Sequence, residues 1–231
     1  GDEIGELSHA FDSMAQKLEE SLIEIKEKEK VIKQLEGGML LKFSQHEEND
    51  CVGVIDMTDS TRISSKLSDD DVSKMYEIFL NFMAKIILKH KGEVVKNIGD
   101  ALMFRFANVD PNNVEVMKNI LECCLNMIES HDELKKELNA ENIDELDYKI
   151  SATYGSVKVA ESTTSKISDI FGPTVNRCFK INSLCPKNSI VVGINLYEIL
   201  KDFDEYEFAQ FCSIEMKKKY GYSIFEVKRR K

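Results

Sequence analysis

Residues 51–56, CVGVID, and residues 93–106, EVVKNIGDALMFRF, decide the fold. The first is a short apolar run that ends on an acid, Asp56, and such a run fits a buried central strand. The second reads as two strands, 93–98 and 101–106, joined at Gly99-Asp100, a hairpin turn signal. Between them, Ser68-Asp-Asp-Asp71 is a helix start. It leads into Val72, Met75, Tyr76, Phe79, Leu80, Phe82, Met83, Ile86 and Ile87, an amphipathic helix ending near Lys91-Gly92. Further on, residues 112–137 predict a long helix, and 148–154 with 156–160 a second hairpin around Gly155. Gly172-Pro173 starts a helix over 174–184. A strand at 189–192, a short helix at 195–200 and strands at 206–212 and 223–227 complete the pattern. The sum is an α+β fold: a mixed, mostly antiparallel sheet flanked by helices.

The chain has 231 residues, 42% of them hydrophobic and 31% charged, enough for one ordinary core with an appendage. No run of 18 apolar residues exists, which rules out a transmembrane helix within this chain. Thirty-one basic against 41 acidic residues leave a net charge of −10, the wrong balance for a duplex nucleic-acid binder. The stretch 217–231 is locally basic, with seven Lys or Arg against Glu226. It reads as a solvated end or a face for a polyphosphate. The six cysteines show no C-x-x-C and no zinc spacing with histidine. Cys51, Cys123 and Cys124 lie in apolar runs and read as core residues of a reduced, intracellular protein. The histidines are given no catalytic role.

Residues 2–36 predict one long helix. A heptad with a at Ile4, Phe11, Leu18, Ile25 and Ile32 and d at Leu7, Met14, Ser21, Lys28 and Leu35 is apolar except at Ser21 and Lys28. Such a helix would be about 50 Å long, too long to lie on one small domain, and argues for a parallel coiled coil. Gly37-Gly38 ends it. The expected organisation is therefore a signalling helix at 1–36, a connector at 37–50 and a catalytic domain at 51–231.

Two carboxylates stand out. Asp56 closes a buried strand, and Asp100 sits in a hairpin turn. Acids so placed, if close in space, are a common way to hold divalent metals, although turn aspartates are often only turn formers.

Three segments carry a resemblance: VGVIDMTDST, KNIGDALMFRF and DIFGPTVN, in this order from residue 52 to residue 176. Together they resemble the class III nucleotide cyclase catalytic domain. Residues 2–15, DEIGELSHAFDSMA, are similar to the second helix of a HAMP signalling module. That likeness implies an upstream sensor and a membrane-anchored parent protein with this part on the cytoplasmic side. The cyclase resemblance implies roles. Asp56, Asp100 and the carbonyl of Met57 match metal ligands for two Mg²⁺ or Mn²⁺ ions per site. Lys96 and Asp169 match the purine-reading pair. A lysine can donate to adenine N1 and an aspartate can accept from the 6-amino group, so the pair looks like an ATP reader. Asn176 matches the asparagine that orients the ribose. Lys180 stands where the family usually has an arginine at the α-phosphate; it keeps the charge but loses the planar fork. Arg177, three residues earlier, is expected to point elsewhere. Among Lys217, Lys218 and Lys219, Lys217 is taken as the contact to the β- and γ-phosphates. Because the family's sites form between subunits and this chain carries both sets of residues, a homodimer is implied. The expected function is adenylate cyclase. The alternatives are a guanylate cyclase and a non-catalytic nucleotide-sensing module of the same fold.

Overall fold

The computed structural model describes residues 41–162 and 168–211, residue 221, residues 223–230 and seven positions nearer the N-terminus: 14, 17, 21, 22, 25, 26 and 28. Those seven are all helical. The predicted coiled coil over 2–36, the HAMP-like segment and Lys217, Lys218 and Lys219 lie outside the described residues. By its contacts the chain divides into two units, residues 1–43 with 160–168, and residues 44–159 with 169–231. The second unit carries the fold described below.

In chain order the elements are β1 (Leu41–Met57), α1 (Ser60–Ser64), α2 (Asp69–Lys89), β2 (Glu93–Ile98) and β3 (Ala101–Phe106), then α3 (Val114–Glu129) and α4 (His131–Ala140). There follow β4 (Tyr148–Ser162), β5 (Ser168–Phe171), α5 (Pro173–Leu184), β6 (Ile190–Gly193), α6 (Ile194–Leu200), β7 (Tyr206–Gln210) and β8 (Ile224–Arg229). The strands form one sheet in the order β2-β3-β1-β4-β6-β8-β7, with β5 on β4. Pairings β1–β3, β2–β3, β6–β8 and β7–β8 are antiparallel, and β4–β6 is parallel. The expected mixed, mostly antiparallel sheet with helices is therefore what the chain forms.

Residues alternate sides along a strand, and both faces of the central strands are covered. Cys51, Ile55 and Met57 of β1 join Met75, Phe79 and Met83 of α2, Ile120 and Leu121 of α3 and Leu196 of α6 in one core. Val52 and Val54 point the other way, into a second core with Met103, Val157, Val175 and Cys178. Coverage on both faces is why 51–55 reads as a continuous apolar run rather than an alternating one. Ser68 caps α2 by accepting from Asp71 N at 3.2 Å, which the sequence signal predicts.

Four local expectations change. The strand at 51–56 extends back to Leu41, into the predicted connector. The helix at 112–137 is two helices, broken at Ser130, which closes α3 and opens α4. The helix α1 and the strand β5 were not anticipated; each is short, with little periodicity to read. The hairpin around Gly155 is instead one strand, β4. Gly155 serves there by lacking a side chain, since a Cβ would lie 2.7 Å from Thr174 Oγ1 at the start of α5. A glycine needed for close approach looks like a turn glycine in sequence. Cys51, Cys123 and Cys124 are buried free thiols, as expected of core residues.

Candidate active site

The acid pair is a product of sheet register. Asp56 near the end of β1 lies opposite Ala101 of β3, so Asp100, one residue earlier, arrives beside it in the β2–β3 turn. Gly99 makes that turn with φ of 61°, in the left-handed region that favours glycine. Met57 N donates to Asp100 O at 3.4 Å, and Ser60 Oγ donates to Asp100 Oδ2. Lys149 of β4 approaches Asp56 Oδ2 to 3.4 Å, with the two side chains only 18% and 24% exposed. Burial pushes the Asp56 carboxyl above its ordinary range, Lys149 pulls it down, and the neighbouring Asp100 pushes it up again; the net shift is upward.

These donors suit a hard divalent ion: carboxylate oxygens at the end of a central strand and in the adjoining turn, with a cationic group already drawn to them. Among the described residues no cluster of three or more His, Cys, Asp or Glu side chains forms. A metal here would therefore draw its remaining ligands from backbone, water or substrate oxygens, a common arrangement for Mg²⁺. Thr58 Oγ1, one residue past Met57, is buried without a hydrogen-bond partner.

Lys96 and Asp169 meet although 73 residues separate them: Lys96 Nζ donates to Asp169 Oδ2. Both side chains are about two-fifths exposed. A register irregularity between Val94 and Lys96 puts two steps of β2 against one of β3, a bulge that re-aims the side chain. Asp169 on β5 also accepts from Ile170 N at 2.8 Å through Oδ1, which fixes its plane.

Asn176 and Lys180 stand on the outer face of α5. Its inner face carries Val175, Cys178, Ile181 and Asn182. Two bonds tie it to β1: Cys178 Sγ to Val52 O at 3.3 Å and Asn182 Nδ2 to Val54 O at 3.0 Å. The outer face opens on a groove of about 530 Å³ lined by Asn176, Arg177, Lys180, Asn195 and Gly221, among others. Arg177 is thus a correction. It was expected to point away from Lys180, yet both line this groove, because residues three apart share a helix face. The groove includes neither Asp56 nor Asp100, so one chain presents the acid pair and the α5 groove as separate surfaces.

Sequence reading missed Lys149, Ser60 and Arg177. The signal for Lys149 was available: it is a lone cation between Tyr148 and Ile150, both wholly buried. Ser60 gave no signal, because its bond to Asp100 spans 40 residues. The turn leading into Ser60, the first residue of α1, is anchored from outside. Lys187 Nζ donates to Asp59 Oδ2 and, at 3.5 Å, to Asp147 Oδ2, while Thr58 N donates to Asp147 O at 2.8 Å.

A mixed sheet with two acids where a central strand meets a neighbouring hairpin turn, a Lys–Asp pair and a helix groove lined by Arg177 and Lys180 defines an α+β domain equipped for a nucleotide. The family model of the adenylate and guanylate cyclase catalytic domain matches residues 44–228, and the chain belongs to that family. An adenylate cyclase of Streptomyces coelicolor is 24% identical over 149 residues, which are 64% of this chain and 33% of that protein. An adenylate cyclase of Streptomyces griseus is 23% identical over 137 residues, 59% of this chain and 29% of that protein. The chain thus spans about a third of the length of the curated relatives it matches. Among solved structures, the adenylyl cyclase CyaB from P. aeruginosa superposes with a TM-score of 0.70 at 20% identity, over 82% of this chain and 97% of that one. The guanylate cyclase domain of RhGC from Catenaria anguillulae, in complex with GTP, gives 0.67 at 20% identity, over 82% and 100%. The fold is that of both kinds of cyclase. No helix among the described residues is long and apolar enough to cross a membrane.

Proposed function

We propose that this chain is an adenylate cyclase output domain that converts ATP to cyclic AMP and pyrophosphate at the interface of a homodimer. The observation that carries the choice of ATP is the Lys96–Asp169 pair. It sets a donor beside an acceptor, the complement of the adenine edge, where N1 accepts and the 6-amino group donates. Guanine presents the reverse pattern.

Asp56 and Asp100, with the Met57 carbonyl, hold the metal ions. Two Mg²⁺ or Mn²⁺ ions bound there would lower the pKa of the ribose 3′-hydroxyl and neutralise the triphosphate. In the reaction the 3′-oxygen attacks the α-phosphorus in line, and the bond to pyrophosphate breaks. Asn176 orients the ribose. Lys180 sets positive charge at the α-phosphate, and Arg177 on the same groove adds a guanidinium within that surface. Lys217 remains the proposed contact to the outer phosphates. The separation of the acid pair from the α5 groove favours a site completed by a second copy, which brings its groove to the first copy's acids. The long helix at 2–36 would pair the same two copies. A turn or shift of that pair, driven by an upstream, membrane-anchored sensor, would change how the half-sites meet.

A second reading has one observation behind it: Lys180 stands where the family usually has an arginine. A non-catalytic nucleotide-sensing module would bind ATP without turnover.

The test is incubation with ATP and with GTP, each with Mg²⁺ and with Mn²⁺, measuring cyclic nucleotide and pyrophosphate against an Asp56→Ala control. Cyclic AMP above that control supports the proposal. Cyclic GMP alone overturns the ATP assignment, and binding without product under all conditions favours the sensing module.

A further inference from the structure

Lys149 is set in the acid site by the sheet itself. Tyr148, Ile150 and Ala152 of β4 enter the core shared with α2 and α3. Strand alternation turns Lys149 and Ser151 to the other face, where Ser151 Oγ donates to Cys178 O of α5 at 3.0 Å. Asp56 lies on that same face, in step with Val52 and Val54. Since β4 is next to β1 in the sheet, the ammonium and the carboxylate are cross-strand neighbours. The ion pair is mostly shielded from water, so its attraction is little screened. Asp100 has a neutral partner instead, the Ser60 hydroxyl. The site therefore holds two carboxylates and one built-in cation.

We propose that Lys149 is the internal counter-cation of the metal site: it neutralises Asp56 while the site is empty and must withdraw before a divalent ion can take that carboxylate. Metal uptake is then an exchange of one cation for another, and Lys149 sets the affinity of the nucleotide-free protein for metal. The inference rests on the metal role given to Asp56 and Asp100 above. An acid pair with no cation beside it would bind a divalent ion more tightly but would leave Asp56 and Asp100 repelling each other in its absence. Lys149 relieves that repulsion and weakens metal binding in the same act.

The experiment is a titration of the full chain with Mn²⁺ in the absence of nucleotide, with free Mn²⁺ read by electron paramagnetic resonance. Lys149→Met removes the charge and keeps the aliphatic stem; it should tighten Mn²⁺ binding by about tenfold or more, the scale on which an opposite charge at this distance biases a carboxylate. Lys149→Gln is the second variant, should Lys149→Met fold poorly by circular dichroism, and the same gain is expected. Lys149→Arg keeps the charge and should bind as weakly as the parent. Asp56→Asn should remove the tight binding in every background. Unchanged or weaker Mn²⁺ binding in folded Lys149→Met and Lys149→Gln overturns the proposal. If binding depends on Asp56 in that case, the metal site stands and only the counter-cation role fails. If it does not depend on Asp56 in any variant, both fail.

Discussion

The acid site and the α5 groove are built by opposite means. Asp56, Asp100 and Lys149 are carried by strands or the turn between them, within a sheet covered on both faces, and neighbouring groups hold them before any ligand arrives. Asn176, Arg177 and Lys180 project from the outer face of one helix into an open groove. The first region holds two carboxylates, one of them paired with the built-in cation Lys149 and the other with the Ser60 hydroxyl. The second displays Asn176, Arg177 and Lys180 together along one open groove. Under the function proposed above, the difference puts metal chemistry in the covered sheet and anion recognition on a helix face that a second copy and a substrate can reach.

That comparison can be broken at several points. The largest effect is expected from Asp100→Asn. With one carboxylate gone the metal site should fail, and cyclic AMP formation should fall by about a thousandfold or more, the upper range for a lost charge-stabilising group; a coupled pyrophosphate assay checks it. Within the groove, Lys180→Ala and Arg177→Ala should each cost about a hundredfold in kcat. If the two share one role, the double variant should lose much less than the product of the single losses. Lys180→Arg should instead raise kcat about tenfold, or about 1.4 kcal/mol in the barrier. No change in any of these would detach the groove from the chemistry.

Smaller effects sharpen the contrast. Lys96→Ala should raise KM for ATP about tenfold with little change in kcat, as expected for loss of one charged hydrogen bond to the base. The ATP-over-GTP preference should fall with it. Ser60→Ala should raise the metal concentration needed for half-maximal rate by several-fold, about 1 kcal/mol for one hydrogen bond, and Ser60→Thr should restore it.

A final variant tests the scaffold and should leave activity per folded molecule alone. Glu122 on α3 receives both terminal nitrogens of Arg229 on β8, at 2.9 and 2.6 Å, and the Tyr206 hydroxyl at 2.6 Å. The Arg229 bonds hold the Glu122 carboxyl below its ordinary range. A carboxyl with a lowered native pKa contributes stability above its unfolded pKa and loses it as pH falls through the native one. Glu122→Gln should therefore cost about 1.5 kcal/mol at neutral pH, and the gap from the parent should close in acid. Denaturant melts at several pH values measure both.

Much of the fold was readable from local pattern. The apolar run 51–55, the Gly99-Asp100 turn, the Ser68 cap and the Gly172-Pro173 start each correspond to an element, because each signal acts within a few residues. The misreadings share a cause at longer range. Gly155 looks like a turn because the contact that requires a glycine there, with Thr174, is 19 positions away. The break at Ser130 has no Gly or Pro to mark it in the sequence. Arg177 lines the groove with Lys180 because residues three apart on a helix share a face.

The sequence alone showed the class of fold, because hydrophobic period and turn chemistry are local properties of the chain, and its short motifs, through the cyclase resemblance, singled out Asp56, Asp100, Lys96, Asp169, Asn176 and Lys180 as candidates. Only the tertiary structure decided what stands next to what. It placed Lys149 on Asp56, Ser60 on Asp100 and Lys96 on Asp169, and it kept the acid pair apart from the groove. Those outcomes follow from strand order and register across the sheet, where side chains dozens of residues apart become neighbours about 5 Å apart, and no local pattern encodes them.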